Sequence, residues 1–297
     1  MASAATLRLV TPRDIEILTA LDRCPLSATQ LLKISATFTF PFTTERRVRE
    51  RLFLLCESGR VRRWQYATAG RGAPNYYTLS RLGFQILHGA DAIPPTKRTF
   101  ESIGLAQQHH TQSLADFIVH TAVAAHRQGI AFTGFYRENT LRLTVGEESL
   151  FPDAAFQLIE TTGQEYDFFA EVDAGTERIR SEKDLDSWER KIRLYDRLQD
   201  QSPKRFRVLV ITTRSEQRMH HILDAVATLV TNPHRSLFYG VCLPRYLDQE
   251  DALWATCFRD QRGTLVALLP RRSTPQPAWS PLPVRVLPLS RLPSLPT

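Results

Sequence analysis

The spacing of apolar residues divides the chain into two regions with different predicted architectures. In residues 8–90, apolar residues at helical spacing predict three helices, two short strands joined by a loop, and a fourth helix. A Ser or Thr that can cap the first turn precedes each predicted helix, and Gly59 is expected to end the third. The expected element order is therefore three helices, a hairpin and a last helix.

Residues 101–269 predict a second, α/β region whose core elements follow the order αβββαβ. Helical apolar stripes alternate with runs of branched and aromatic residues, which are typical of strands. The expected elements are a helix over 103–127, strands over 131–136 with 141–145, 150–158 and 166–172, a helix over 181–199, a strand over 207–212, a helix over 219–230 and strands over 236–243 and 265–269. Together the two regions predict an α+β protein.

Prolines mark the segments outside these two regions. Residues 91–100 contain Pro94-Pro95 and predict a linker, and residues 270–297 contain eight prolines and predict a disordered tail. No apolar run approaches the ~20 residues that span a bilayer, and the first ten residues show no signal sequence, so a cytoplasmic protein without membrane contact is expected. The four cysteines are not spaced as zinc ligands, and reduced thiols are expected.

The net charge of +7 is concentrated in the first third of the chain. Residues 1–100 hold 15 Lys and Arg against 7 Asp and Glu, a net charge of +8, whereas residues 101–297 hold 23 against 24. This asymmetry favours a first region that binds double-stranded DNA, with a solvated helix face or a protein-binding surface as the alternatives. The candidate DNA contacts lie on the third helix and around the hairpin, and they are Arg46, Arg47, Arg49, Arg51, Arg62, Arg63 and Arg71.

Three carboxylates occur in or beside predicted buried strands. Asp153 follows a proline, and Glu171 and Asp173 lie at the end of the strand over 166–172. Because strand side chains alternate between faces, Glu171 and Asp173 point the same way, and Asp153 joins them if its strand is adjacent. Such a cluster suits Mg²⁺ or Mn²⁺. The alternatives are a turn role for Asp153 and structural partners such as Arg178 or Arg193 for the other two carboxylates.

Other polar residues give weaker signals of a site. Glu138, near the end of the first strand, is expected to be a surface carboxylate, with membership of the acidic cluster as the alternative. The adjacent histidines His109-His110 open the helix over 103–127, and neighbouring helical residues point in different directions. Joint metal binding by this pair is therefore not expected.

The first region resembles a winged helix in its element order, and residues 76–83 look like the end of a wing running into the last helix. In the second region, Pro152-Asp153 and Glu171 are similar to the two acidic elements of the PD-(D/E)xK, or restriction-endonuclease-like, nuclease core. That family has a lysine two residues after the second acid, a position that Asp173 occupies here. The resemblance implies that Asp153, Glu171 and Asp173 form a catalytic metal site. It permits Lys191, on the following helix, to replace the missing lysine as a phosphate contact, with an exposed helix residue as the alternative for Lys191.

Over about residues 8–245, the chain is similar to the replication-relaxation family of bacterial mobile elements. The phrases that carry this resemblance are Phe151-Pro152-Asp153, FAEVDAGT at 169–176, and Arg190-Lys191 with Tyr195. The resemblance implies a DNA-binding protein of plasmid or mobile-element replication, relaxation or transfer that meets replication or conjugation proteins.

Two hypotheses for the second region follow from this resemblance. In the first, it is a Mg²⁺- or Mn²⁺-dependent DNA endonuclease or nickase. In the second, the protein is a non-catalytic DNA-binding adaptor or a transcriptional regulator with a degenerate nuclease fold, which the missing lysine favours. A homodimer is compatible with a winged helix, although no coiled-coil seam is visible.

Overall fold

The structure, a computed structural model, describes residues 9–67, 73–95, 99–181 and 187–270. It contains the helices and the multistranded sheet that the hydrophobic pattern predicts, so the mixed α+β class is confirmed. Arg71 and the proline-rich segment after residue 270 lie outside the described residues. None of the helices in the described part combines the length and the apolarity that a bilayer crossing requires.

Residues 12–88, which we call the head, form four helices around a small antiparallel sheet. The elements are α1 (Pro12–Arg23), β1 (Leu26–Ser27), α2 (Ala28–Ile34) with a 3₁₀ turn (Ser35–Thr37), α3 (Glu45–Glu57), β2 (Val61–Gln65), β3 (Asn75–Leu79) and α4 (Arg81–His88). The strands pair in the order β1-β3-β2. Loop residues 68–72, between β2 and β3, lie outside the described residues.

Local sequence signals account for the ends of the head helices. Thr11 and Ser27 each form a capping box at the start of α1 and α2. Gly59 takes a positive φ of 69° just after α3, a backbone conformation that favours glycine. In α4, a Cβ on Gly83 would lie 2.2 Å from the carbonyl oxygen of Arg60, so only glycine lets α4 approach the end of α3 this closely.

Residues 105–269, which we call the body, are built around a seven-stranded sheet. The elements are α5 (Leu105–Arg127), β4 (Ala131–Tyr136), β5 (Leu143–Val145), β6 (Glu148–Leu150), β7 (Ala154–Ile159), β8 (Glu165–Asp173), α6 (Trp188–Gln201), β9 (Phe206–Thr212), α7 (Glu216–Leu229), β10 (Phe238–Cys242), α8 (Leu243–Leu247), β11 (Phe258–Asp260) and β12 (Leu265–Val266). The sheet order is β12-β11-β10-β9-β8-β7-β4. Strands β8, β9 and β10 are parallel, and the other neighbours are antiparallel.

Helices cover the two faces of the body sheet. Helices α5 and α8 pack in one apolar cluster, and α6 and α7 pack in another on the opposite face. Alternation along β8 directs Phe168, Ala170 and Val172 into the α5 cluster. The intervening residues Glu171 and Asp173 therefore face α6 and α7, although both are fully buried.

The head packs directly on the body through α2 and α5. The side-chain amide of Gln30 donates to the Asp116 carboxylate over 2.8 Å. The guanidinium of Arg23 lies 5.2 Å from the ring centroid of Phe132 in β4, a cation–π contact. A single apolar cluster runs from the head helices into α5. The head and the body therefore share part of one core.

Some element boundaries differ from those that the sequence predicts. The single strand expected over 150–158 is interrupted, because β6 ends at Leu150 in a separate hairpin with β5 and β7 begins at Ala154. Pro152, between them, has no N–H to donate to a strand ladder. The helix expected from residue 181 begins at Trp188, where Ser187 caps it. The pattern did not predict α8 or β11.

Candidate functional site

Asp153 and Glu171 are brought together by the pairing of β7 with β8. The register places Ala154 opposite Ala170, so Asp153 continues the ladder beside Glu171. The backbone N–H of Val172 donates to Asp153 Oδ2 over 2.7 Å and fixes the carboxylate against β8. The two acidic residues that the sequence analysis singled out as neighbours therefore lie side by side at one end of the two strands.

The Glu171 carboxylate is fully buried, and each of its oxygens has a donor. Tyr195 O–H donates to Oε1 over 2.6 Å, and the ammonium of Lys191 donates to Oε2 over 2.9 Å. Burial raises the pKa of Glu171 and Asp153 raises it further, whereas Lys191 and Tyr195 lower it; the balance is a pKa of about 7. The group thus titrates near neutral pH.

Lys191 reaches this carboxylate from α6, where Tyr195 follows it by one helical turn and points to the same side. Its Nζ also donates to Glu177 Oε1 over 2.8 Å, and only 13% of its side chain is exposed. Burial lowers the pKa of Lys191, but Glu171, Glu177 and Asp153 outweigh this effect and raise it above its usual value. The lysine is therefore a buried, fully protonated ammonium that faces the acidic pair.

Asp173 points to the same side of β8 as Glu171 but has different partners. Arg218 of α7 binds it with two nitrogens, Nε at 2.7 Å and an NH2 group at 2.8 Å. The indole N–H of Trp188 donates to Oδ1 over 3.1 Å. The structure thus brings Asp153, Glu171 and Lys191 together and places Asp173 in a separate bidentate ion pair. The arginine partner is Arg218, rather than Arg178 or Arg193.

His110 and Glu138 also lie close to Asp153. The imidazole Nε2 of His110 is 2.9 Å from Asp153 Oδ2. Glu138 follows β4 in a turn in which Asn139 has a positive φ of 60°. One potential ligand atom from each of His110, Glu138 and Asp153 lies within 4.8 Å of the other two. The expectation that Glu138 is a plain surface carboxylate is therefore wrong.

The ionisation of this second group is governed by burial and by Asp153. Burial lowers the pKa of His110, but the hydrogen bond and the charge of Asp153 raise it to about 9. Burial raises the pKa of Glu138, and the negative charge of Asp153 adds to the effect. Burial also raises the pKa of Asp153, but His110, Lys191 and the Val172 N–H outweigh it and leave that pKa below its usual value.

Sequence reasoning missed His110 because it treated the histidine pair as one feature. His109 is exposed, whereas His110 lies four residues before Leu114 and seven before Phe117, on the buried stripe of α5. A polar residue on an apolar helical stripe is the signal that could have identified it. Arg218 had no such signal, because its partner Asp173 is far away in sequence.

The basic residues of α3 differ in how far they reach into solvent. The side chains of Arg46, Arg47 and Arg49 are 88%, 72% and 69% exposed, and each pairs with Glu45 or Glu50 on the same helix. Arg51 does not extend outward. Its guanidinium binds the buried carboxylate of Asp14 on α1, because that buried charge needs a partner.

The remaining candidate arginines flank the hairpin. Arg62 donates to the backbone carbonyl of Phe100 over 3.1 Å, and Arg63 is exposed on β2. Arg71 lies outside the described residues. Among the described candidate arginines, the exposed ones therefore lie on the first two turns of α3 and on β2.

The fold and this site define a mixed α+β protein with a basic helical head and a buried acid–lysine centre at one end of the body sheet. The family model described as replication-relaxation matches residues 21–209, more than half of the 297-residue chain. The chain belongs to the replication-relaxation family, which indicates a role in the replication or relaxation of mobile elements and partners that are nucleic acids or replication proteins. No curated protein and no solved structure matches the chain.

Proposed function

We propose that the protein binds double-stranded DNA through its head and hydrolyses a DNA phosphodiester in its body, during the replication, relaxation or transfer of a mobile element. The head would act as a winged helix and the body as a PD-(D/E)xK-type nuclease. The observation that carries this proposal is the position of Lys191, whose Nζ lies 2.9 Å from Glu171 Oε2. An ammonium from α6 thus contacts Glu171, the second acid of the pattern. It would take the role of the lysine that the pattern expects two residues later, at the position of Asp173.

Each residue of the centre has a role that its surroundings support. Lys191 would hold a scissile phosphate by its charge, since it stays protonated. Glu171 would orient this ammonium, together with Tyr195. Asp153, a part-exposed carboxylate, fits a divalent cation such as Mg²⁺ or Mn²⁺, which supplies water activation and neutralises charge at phosphorus. Asp173 does not fit as a ligand, because Arg218 and Trp188 already use both of its oxygens.

DNA binding by the head rests on the exposed arginines of α3. Their partners Glu45 and Glu50 are themselves partly exposed, and exposed ion pairs of this kind contribute only about 0.2–1 kcal/mol. Arg46, Arg47 and Arg49 can therefore exchange these carboxylates for DNA phosphates at little cost. Such contacts give affinity that falls with salt and does not depend on base sequence.

A second candidate function is a DNA-binding adaptor whose body does not cut DNA. The observation that favours it is that internal groups already compensate the buried acids: Lys191 for Glu171 and Arg218 for Asp173. Such a network is complete without a substrate. In this case the body would present a surface to a replication or transfer protein.

Plasmid nicking by the purified full chain with Mg²⁺ or Mn²⁺ distinguishes the two functions. We expect nicking by the wild type, its loss in Asp153→Ala and Lys191→Met, and full activity in the control Lys204→Met, whose lysine is exposed in the loop between α6 and β9. Melting curves of each variant show that it is folded. No nicking by a folded wild type that still shifts DNA on a gel would support the adaptor.

A further inference from the structure

His110, Glu138 and Asp153 form a group of three potential metal ligands. His110 and Glu138 are not part of the centre formed by Asp153, Glu171 and Lys191. The three ligands come from three different elements, since His110 is on α5, Glu138 follows β4 and Asp153 precedes β7. One ligand atom from each lies within 4.8 Å of the other two. Ligands about 2.1 Å from one cation lie up to about 4 Å apart, so a small inward movement of these side chains would close the site.

The two carboxylates of this group favour a cation, which would take the place of the proton that His110 shares with Asp153. These carboxylates lie close to one another, and among the described residues neither forms an ion pair with a lysine or an arginine; the one ion-pair partner is His110, on Asp153. In the part of the chain that the structure describes, the Glu138 carboxylate accepts only a long hydrogen bond of 3.4 Å from the neighbouring Asn139. The ring nitrogen of His110 that faces Asp153 is Nε2, so a cation in this group would be bound by Nε2 rather than by Nδ1.

Glu171 is a poorer ligand than either His110 or Glu138. Both of its oxygens accept short hydrogen bonds, and one of the donors is the ammonium of Lys191. A cation between Asp153 and Glu171 would have to displace or approach this positive charge. The His110 imidazole and the Glu138 carboxylate, which also lie close to Asp153, accept no hydrogen bond from this ammonium among the described residues.

We propose that the cation site of this protein consists of His110, Glu138 and Asp153, and that it takes Mn²⁺ or a similar transition-metal ion in preference to Mg²⁺. The preference follows from the imidazole, because nitrogen ligands suit transition metals whereas Mg²⁺ binds through oxygens. As the metal site of a nuclease this assignment rests on the proposed function, but metal binding itself does not.

The test is Mn²⁺ binding by the metal-free full chain, measured by electron paramagnetic resonance of the free ion. We expect His110→Ala and Glu138→Gln to weaken binding by about tenfold or more, because even the loss of an outer partner of a metal ligand costs this much. The matched controls are His109→Ala and Glu147→Gln, which change exposed neighbours of the same type. Glu171→Gln should bind Mn²⁺ like the wild type, and Mg²⁺ should displace Mn²⁺ only in large excess.

Two results would overturn the assignment. One is the absence of Mn²⁺ binding by the folded wild type. The other is binding that Glu171→Gln abolishes and that His110→Ala and Glu138→Gln leave intact, which would place the ion between Asp153 and Glu171. Melting curves without metal confirm that each variant folds, and His110→Gln replaces His110→Ala if the latter does not.

Nicking measured on the same samples separates this inference from the proposed function. Mn²⁺ binding that depends on His110, without any nicking, would support the metal site and refute the nuclease. Nicking with Mg²⁺ that His110→Ala leaves unchanged would support the nuclease and refute the metal site.

Discussion

Replacing Lys191 with methionine tests whether this lysine and Glu171 form one energetic unit. The Glu171 side chain is 1% exposed and that of Lys191 is 13% exposed, so methionine fills the space of the lysine and leaves a buried carboxylate without its ammonium. Removing one partner of a buried ion pair costs about 3–5 kcal/mol. Because the Tyr195 hydrogen bond to Glu171 remains, we expect the free energy of unfolding to fall by an amount near the lower end of this range, about 3 kcal/mol.

Urea unfolding of Lys191→Met, Glu171→Gln and the double variant measures the coupling between the two residues. The double variant leaves no unpaired charge, so it should recover about 1–3 kcal/mol of the loss in Lys191→Met. The control Lys204→Met removes an exposed ion pair with Glu165 and should change stability by less than about 0.5 kcal/mol.

The pH dependence of Lys191→Met supplies a second measurement. Burial already raises the pKa of Glu171 to about 7 with the lysine present, and removing the lysine raises it further. In both proteins the folded state binds more protons than the unfolded state, so stability should fall as pH rises above about 5; the fall should level off near pH 7 in the wild type and continue to higher pH in the variant. A loss no larger than that of Lys204→Met, or additive effects of the two single changes, would refute the reasoning.

Three further predictions concern the head and the second ion pair. Replacing the three exposed arginines of α3, Arg46, Arg47 and Arg49, with alanine should weaken DNA binding. In gel shifts at several salt concentrations, the magnitude of the slope of log affinity against log salt should fall by about 0.9 for each lost phosphate contact. Burial raises the pKa of Asp14, but hydrogen bonds from Arg51 and Thr11 outweigh this effect and leave the pKa below its usual value. Asp14→Asn should therefore lower the free energy of unfolding by about 1–3 kcal/mol, measured by urea unfolding at neutral pH. This difference should disappear as the pH falls through the lowered pKa of the folded state, because the wild-type carboxyl is then protonated as well. Asp173→Asn should reduce stability by about 3–5 kcal/mol, because it leaves Arg218 without its buried partner, and should leave Mn²⁺ affinity unchanged.

The sequence predicts the parts of the fold that depend on local patterns. Caps such as Thr11 and Ser27 and the glycine after α3 define helix ends through contacts within a few residues. Sequence periodicity also places Glu171 and Asp173 on one face of β8. The interruption at Pro152 was not predicted, although a proline without an N–H rarely continues a strand.

The partners of the buried charges could not be predicted in the same way. Glu171 and Asp173 are two residues apart and point to one side, yet α6 supplies the cation for the first and α7 for the second. Which helix lies next to which carboxylate depends on how α6 and α7 pack on the sheet, and no local sequence pattern indicates that packing. For the same reason, the contact between His110 of α5 and Asp153 could not be predicted.

Helix α5 connects the two proposed sites. Its residues Gln108 and Asp116 bind the head, through the backbone N–H of Ala67 and the side chain of Gln30. They are separated by two steps of four residues and therefore lie on one side of the helix. His110 is two residues from Gln108, about 200° around the helix, and points to Asp153 instead. Packed side chains therefore join the head to the helix that carries His110.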